Sequence, residues 1–172
     1  MILDLEHIVG EFDPESVLGE SDESNKVDAV REALSHRQHV KVLMAEDSSI
    51  IRTGIEKVLR EAGFKGLEVF VDGDVCYQRI LQLKKQAEEA GEDIRQHFSL
   101  LISDIEMPKM DGLTLCRKVK EELGYKHIPV LLFSSLINPP MEVKCDSVGA
   151  DGYAAKPEIT KLIEMMDRFT GM

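Results

Sequence analysis

The chain has 172 residues, 43% of them hydrophobic, which is enough for one domain of ordinary size and an extension. Its formal charge of −11, without a basic run interleaved with aromatic residues, argues against nucleic-acid binding. No apolar run is long enough to span a bilayer and the N-terminus is acidic, so we expect neither membrane insertion nor a signal peptide. Three widely spaced cysteines among apolar neighbours, Cys76, Cys116 and Cys145, are typical of reduced packing residues in a cytoplasmic protein.

The first 39 residues differ from the rest of the chain in composition, with ten acidic residues against three basic ones. Residues 1–12 place apolar side chains at the spacing of one helix face, and residues 15–25 are polar and acidic, as in a solvated linker. A weak helix is predicted over residues 26–37. The change in composition predicts a domain boundary near residue 39, with an extension over 1–39 and a domain over 40–172.

From residue 40 onwards, β-prone apolar runs alternate with segments of helical spacing. Strands are predicted over residues 40–45, 67–71, 99–103, 128–133 and 152–155. Strands that alternate with helices predict a parallel sheet covered on both faces, with right-handed crossovers. Five strands with five following helices most simply form an α/β doubly wound fold with the order 2-1-3-4-5, in which the first and third strands are neighbours.

Three carboxylates are predicted to meet at the carboxyl edge of this sheet, where ligands of open α/β sheets bind. Glu46 and Asp47 follow the first strand, and Asp104 follows the third. Three adjacent acids raise one another's pKa unless they share a cation. A hard divalent ion, Mg²⁺ or Mn²⁺, suits their oxygen atoms. The alternative is that the acid pair and Ser48 only cap the next helix, which is the commoner explanation for each residue alone.

A hydroxyl and an amine follow the fourth and fifth strands. Ser134 is placed to donate to an anionic oxygen, although serine after a strand is often turn chemistry. Lys156 can neutralise the acids and bind a phosphoryl oxygen, although a weak surface ion pair is the alternative. With the acids, these residues suit transfer of a phosphoryl group onto Asp104, which would attack in line.

The motifs MAEDS, ISDIEMPKMDG, PVLLFSS and GADGYAAKP stand where corresponding motifs stand in the receiver domains of two-component response regulators. From about residue 40 to residue 171 the chain resembles this CheY-like family. The resemblance implies that Asp104 accepts a phosphoryl group from a phosphohistidine of a sensor kinase. It also implies an Mg²⁺ site formed by Glu46, Asp47, Asp104 and the backbone carbonyl of Glu106.

The same resemblance implies a switch and its output surface. Ser134 would follow the phosphoryl group, Lys156 would supply its counter-charge, and Tyr153 would be the aromatic switch residue. The surface of the receiver's fourth helix, fifth strand and fifth helix would then change its affinity for a partner. Glu106 and Leu136, two residues beyond the acceptor and the hydroxyl, would control how water reaches the acyl phosphate.

A narrower resemblance is to the CheV chemotaxis adaptors, in which a CheW-like coupling domain precedes a receiver. It is carried by IEMPKMDG, FSSLI and KPEI, and by ILDLEHIVGEF, which looks like the trailing helix of a coupling domain. It implies a kinase of the CheA type as partner, and a chemoreceptor array reached through a coupling domain that is missing here. Residues 84–97 form a longer segment than a minimal receiver has, and predict a helical extension on the surface.

Three other readings compete with a phosphorylated receiver. A haloacid-dehalogenase-like phosphatase also uses Asp, Ser or Thr, Lys and Mg²⁺, but its nucleophile ends the first strand, where this chain has the acid pair. A nucleotide-binding flavodoxin-like module would need glycines after the first strand, where this chain has EDSS. A silent interaction scaffold would not need the intact acidic set. We therefore expect a phosphoryl acceptor with slow self-dephosphorylation rather than an enzyme.

Overall fold

The structure, a computed structural model, describes residues 23–171. A helix, α1 (Glu23–Arg37), precedes five alternating strands and helices. These are β1 (Lys41–Ala45), α2 (Ser49–Glu61), β2 (Gly66–Phe70), α3 (Gly73–Ala90), β3 (Leu100–Ser103), α4 (Gly112–Arg117), β4 (Val130–Ser134), α5 (Pro139–Ser147), β5 (Gly152–Ala155) and α6 (Ile159–Phe169). The receiver's fourth and fifth helices are therefore α5 and α6. Within the described range, none of the helices has the length and apolar character needed to cross a membrane.

The five strands form one parallel sheet in the order β2-β1-β3-β4-β5, which confirms the predicted topology. The register of β1 against β3 places Ala45 opposite Ser103. The next residue on each strand, Glu46 and Asp104, therefore leaves the sheet beside the other. The adjacency of the first and third strands, on which the predicted site depends, is confirmed.

Alternate residues along the strands enter two hydrophobic layers, one on each face of the sheet. On β1, Val42 and Met44 belong to the layer shared with α2 and α6, whereas Leu43 and Ala45 belong to the layer shared with α3, α4 and α5. Burial on both faces explains why the strands are continuous apolar runs. The second layer also contains the three cysteines, which are buried and free as predicted: Cys76, Cys116 and Cys145.

Predicted and observed strand ends differ by at most two residues, and the β5 bounds are identical. Among the residues of the predicted strands, the largest error of side-chain placement is at Val71, which the second apolar run included but which is 50% exposed beyond the end of β2. Helix α1 begins at Glu23, so residues 23–25 of the predicted linker are helical. The predicted helix over residues 1–12 and the linker up to residue 22 lie outside the described residues.

The long segment before β3 is anchored in the core as well as helical. Helix α3 ends at the left-handed Gly91, and Leu83 and Ala87 on its inner face are buried. A turn of 3-10 helix (Ile94–Gln96) follows, with Ile94 and Phe98 buried in the same layer. The predicted surface extension is therefore correct for the outer face of this segment only.

Candidate functional site

A cleft of about 250 Å³ lies at the carboxyl edge of the sheet. Seven residues predicted for the site line it: Glu46, Asp47, Asp104, Glu106, Ser134, Leu136 and Lys156. Tyr153 does not line the cleft; it lies on β5 opposite Leu132 and packs, partly exposed, against the layer formed with α3, α4 and α5. The carboxyl ends of four strands thus bring together all the predicted site residues except the aromatic one.

The three acids form a compact cluster. Glu46, Asp47 and Asp104 each offer a carboxylate oxygen, and these oxygens all lie within 4.8 Å of one another. Burial raises the pKa of Glu46 to about 8, with Lys156 opposing and Asp104 adding to the rise. Oxygen donors that repel one another in this way fit a hard divalent cation that keeps part of its water shell.

Lys156 lies inside the cluster. Its Nζ atom is 2.9 Å from Glu46 Oε2 and 3.3 Å from Asp104 Oδ2, and its side chain is only 3% exposed. The alternative of a solvent-exposed ion pair is therefore wrong, because screening by water is largely absent here. The peptide bond from Lys156 to Pro157 is cis.

Ser48, and not the acid pair, caps α2. Its Oγ atom accepts a hydrogen bond from the Ile51 amide at 3.4 Å, and the first turn of α2 contains no acidic residue. Helix capping therefore does not explain why Glu46 and Asp47 are acidic. Arg52, which was not predicted for the site, donates from Nη1 to both their carbonyl oxygens, at 2.9 and 3.4 Å respectively. Its position one turn after the capping serine is the signal that could have identified it.

The loop that follows Asp104 is closed by a glycine. The Asp104 Oδ1 atom accepts from the Ile105 amide at 2.7 Å, and the Ile105 carbonyl accepts from the Gly112 amide at 2.8 Å. A Cβ atom on Gly112 would lie 1.9 Å from the Asp104 carbonyl oxygen. The missing side chain of Gly112 permits this close approach.

Gly112→Ala is accordingly expected to lower the free energy of unfolding by about 3 kcal/mol, because the methyl group forces the Asp104 backbone to move. Denaturant unfolding monitored by circular dichroism measures the loss. Gly124→Ala is the control, because its Cβ would meet nothing within 4 Å. Its φ of 72° leaves backbone strain as the only expected cost, and this strain should lower the free energy of unfolding by about 1 kcal/mol. Equal losses in the two variants would contradict the contact argument.

Ser134 has both of the roles considered for a serine after a strand: it forms a hydrogen bond within the turn and it lines the cleft. Its Oγ atom accepts from the Leu136 amide at 3.2 Å, and the residue is 1% exposed. Leu136 lines the same cleft and packs against the layer that contains Tyr153. The Ser134 hydroxyl thus lies at the cleft. Two residues later in the chain, Leu136 contacts both the cleft and the layer that contains Tyr153.

Comparisons with known proteins agree with this architecture. The protein-family model of the response regulator receiver domain matches residues 42–167 of this chain. The chain is 32% identical over 168 residues to chemotaxis protein CheV3 of Helicobacter pylori, covering 98% of this chain and 50% of CheV3. It is 26% identical over 125 residues to chemotaxis protein CheY of Pseudomonas aeruginosa, covering 73% of this chain and 90% of that protein. The chain therefore spans about half the length of CheV3.

Solved structures of similar proteins have the same fold. Chemotaxis protein CheY4 of Vibrio cholerae has a TM-score of 0.59 at 30% identity, covering 76% of this chain and 98% of that one. The receiver domain of the histidine kinase CKI1 of Arabidopsis thaliana, complexed with Mg²⁺ and BeF₃⁻, has a TM-score of 0.67 at 22% identity. The match covers 81% of this chain and 97% of that one, and it shows the fold alone. Because the matched region runs from β1 into α6 and contains every residue predicted for the site, the chain belongs to the response regulator receiver domain family.

Proposed function

We propose that this chain is the phosphoacceptor receiver of a bacterial chemotaxis adaptor of the CheV type. Asp104 would accept the phosphoryl group from a phosphohistidine of a CheA-type histidine kinase. The observation that carries the proposal is the position of the Asp104 carboxylate, 3.3 Å from a buried lysine amine and within reach of two further carboxylates. The chemotaxis names of CheV3 and CheY support the pathway.

The share of CheV3 that this chain covers supports an assignment for the residues before β1. Residues 1–39 would be the end of a coupling domain and an acidic linker, and residues 40–172 would be the receiver. The coupling domain would bring the receiver to the chemoreceptor array. The match to CheV3 over 98% of this chain supports the arrangement, because it includes most of the residues before β1.

The chemistry requires one bond to form and one to break. A carboxylate oxygen of Asp104 attacks phosphorus in line, the bond from phosphorus to the imidazole nitrogen breaks, and its electron pair remains on the imidazole. Lys156 would neutralise a phosphoryl oxygen, and the Ser134 hydroxyl would donate to another. Glu46, Asp47, Asp104 and the carbonyl of Glu106 would hold Mg²⁺, which would offset the negative charge that develops on the phosphoryl oxygens.

Phosphorylation would be read out at the surface formed by α5, β5 and α6. Ser134 would move toward the phosphoryl group, and Tyr153 would turn into the space that opens beside β5. The partly exposed position of Tyr153 supports this step, because the ring is neither fixed in the core nor free in solvent. A change in partner affinity then requires that the partner binds the two arrangements differently.

The proposed function is tested by adding beryllofluoride, a phosphoryl mimic, with Mg²⁺ and following amide NMR shifts. We expect the signals of Asp104 and its neighbours to move together with those of Ser134 and Tyr153. If the signals around Asp104 move while Ser134 and Tyr153 stay unchanged, the switch is wrong. If no signal moves, or if the protein turns over a generic phosphate ester, the receiver function itself is wrong.

The lifetime of the phosphorylated form should depend on Glu106 and Leu136. Leu136→Ala removes an apolar wall of the cleft and admits water, so we expect dephosphorylation about fivefold faster, a barrier change of about 1 kcal/mol. Glu106→Gln removes an exposed carboxylate that can orient the attacking water, so we expect slower dephosphorylation by a similar factor. The decay is followed after rapid removal of acetyl phosphate, with Ile137→Ala as the control. Unchanged decay in both variants would exclude these roles.

A further inference from the structure

Helix α1 is fastened to the domain by a buried ion pair. Arg37 donates from Nε to Asp167 Oδ1 at 2.9 Å and from Nη2 to Asp167 Oδ2 at 2.6 Å. Its Nη1 atom donates to the Ala62 carbonyl at 2.9 Å, and the guanidinium carbon lies 5.4 Å from the centroid of the Phe64 ring. The two charged side chains are only 3% and 13% exposed. All three nitrogens of the guanidinium are therefore used in one fixed arrangement.

Among residues 23–171, the buried contacts of α1 lie in the C-terminal half of the helix. Ala33 is buried, and Leu34 packs so closely on Gly63 that a Cβ there would lie 2.9 Å from Leu34 Cδ2. The φ of Gly63 is +106°, which also favours glycine at this contact. Near the other end of the helix, Val27 is 57% exposed. Within the described residues, helix α1 is thus an arm whose C-terminal end forms a fixed base on the domain.

Partial docking is unfavourable at the base of this arm. A buried guanidinium and carboxylate are stable together, but a partial displacement would leave both charges desolvated and unpaired. Two apolar side chains of similar volume would hold the helix without that penalty. The ion pair therefore makes docking of α1 close to all-or-none, which is the property that a switch element requires.

Helix α6 joins this ion pair to the phosphoacceptor cleft. It begins three residues after Lys156, whose amine contacts Glu46 and Asp104, and Asp167 lies near its other end. One face of α6 is buried along its length through Ile159, Leu162, Ile163 and Met166. A helix packed in this way, about 16 Å long, would move as one body, so a displacement at Lys156 would reach Asp167.

We propose that the Arg37–Asp167 pair is a latch whose closure is coupled through α6 to the phosphorylation state of Asp104. Phosphorylation would change the docking of α1, and with it the position of everything that precedes α1 in the chain. The inference rests on the proposed function. It adds a route of signal output within the same chain, besides the surface of α5, β5 and α6 that a separate partner would read.

The test uses the full chain with Mg²⁺, with and without beryllofluoride, and measures hydrogen exchange of the α1 amides. We expect exchange at residues 33–37 to change about fivefold, the lower end of typical coupling between sites. In Arg37→Met, exchange in α1 should become faster and insensitive to beryllofluoride. The control is Arg31→Met, because Arg31 is exposed and its ion pair with Asp28 is a 3.7 Å surface contact; it should behave like the wild type.

Thermodynamic linkage supplies a second readout. If beryllofluoride changes the equilibrium constant for docking of α1, loss of docking must change the affinity for beryllofluoride. The change in affinity cannot exceed the change in the docking constant. The double variant Arg37→Met/Asp167→Leu keeps an apolar contact without buried charges, so it guards against simple unfolding of the single variant. We expect it to retain the native circular dichroism spectrum and lose the beryllofluoride response of α1.

Two results would overturn the latch. One is a wild-type α1 whose exchange ignores beryllofluoride while the amide signals around Asp104 respond, which would leave the proposed function intact. The other is a double variant that is folded and whose α1 still responds as in the wild type. If the signals around Asp104 do not respond at all, the latch and the proposed function both fail.

Discussion

Asp104→Asn is expected to abolish the Mg²⁺-dependent gain of one phosphoryl group that we expect the wild type to show after mixing with acetyl phosphate. The amide oxygen can still accept the hydrogen bond that the Ile105 amide donates to Asp104 at 2.7 Å, so the loop should keep its shape. The carboxamide, however, is a poor nucleophile and lacks the charge that Asp104 would contribute to a bound cation. Intact-protein mass spectrometry measures the gain directly.

Asp111→Asn is the matched control for this substitution. Asp111 lies in the same loop but caps α4, accepting from the Thr114 amide at 2.7 Å, and asparagine can replace it in that role. This variant should be phosphorylated like the wild type. A phosphoryl gain that persists in Asp104→Asn would place the acceptor elsewhere. A wild type that binds Mg²⁺ without any gain would favour the phosphatase or the silent scaffold.

Lys156→Gln is expected to change two properties in opposite directions. Phosphoryl transfer from acetyl phosphate should slow by about a hundredfold, because a buried charge positioned for the phosphoryl oxygens is removed. Mg²⁺ binding should tighten, because Glu46 and Asp104 lose a cation that now lies 2.9 and 3.3 Å from them. Phosphorylation rates come from mass spectrometry, and Mg²⁺ affinity from titration followed by NMR.

The opposite signs separate a role in the chemistry from general damage to the fold. Lys161→Gln, at an exposed position on α6, is the control and should leave both quantities unchanged. If Lys156→Gln weakened Mg²⁺ binding as well as phosphorylation, disruption of the cleft would be the explanation. If phosphorylation were unchanged, Lys156 would serve only to neutralise the acids.

Much of the site could be predicted because its residues follow strand ends. Buried strands produce apolar runs that are visible in the sequence, and alternation with helices restricts the order and handedness of the sheet. Once the first and third strands are neighbours, Glu46, Asp47 and Asp104 must lie at one edge. The position of Ser134 follows from the same rule applied to β4.

Other features could not be predicted because they depend on packing between distant segments. The sequence alone left Lys156 as either a buried or a surface group, and only the closure of the sheet edge places it against Glu46 and Asp104 at 3% exposure. The close approach of Gly112 to the Asp104 carbonyl depends on the path of a loop. The contact of Arg52 with the acid-pair carbonyls depends on where α2 starts.

By itself, therefore, the sequence determined the parallel sheet, its strand order and the acidic edge, since these follow from local periodicity and the chirality of βαβ units. The tertiary structure decided which charges are desolvated, which glycine permits close approach, and how the N-terminal extension is attached. The Arg37–Asp167 pair is the clearest case. Its partners are 130 residues apart in the chain, and no local pattern encodes a contact that exists only after two helices have packed.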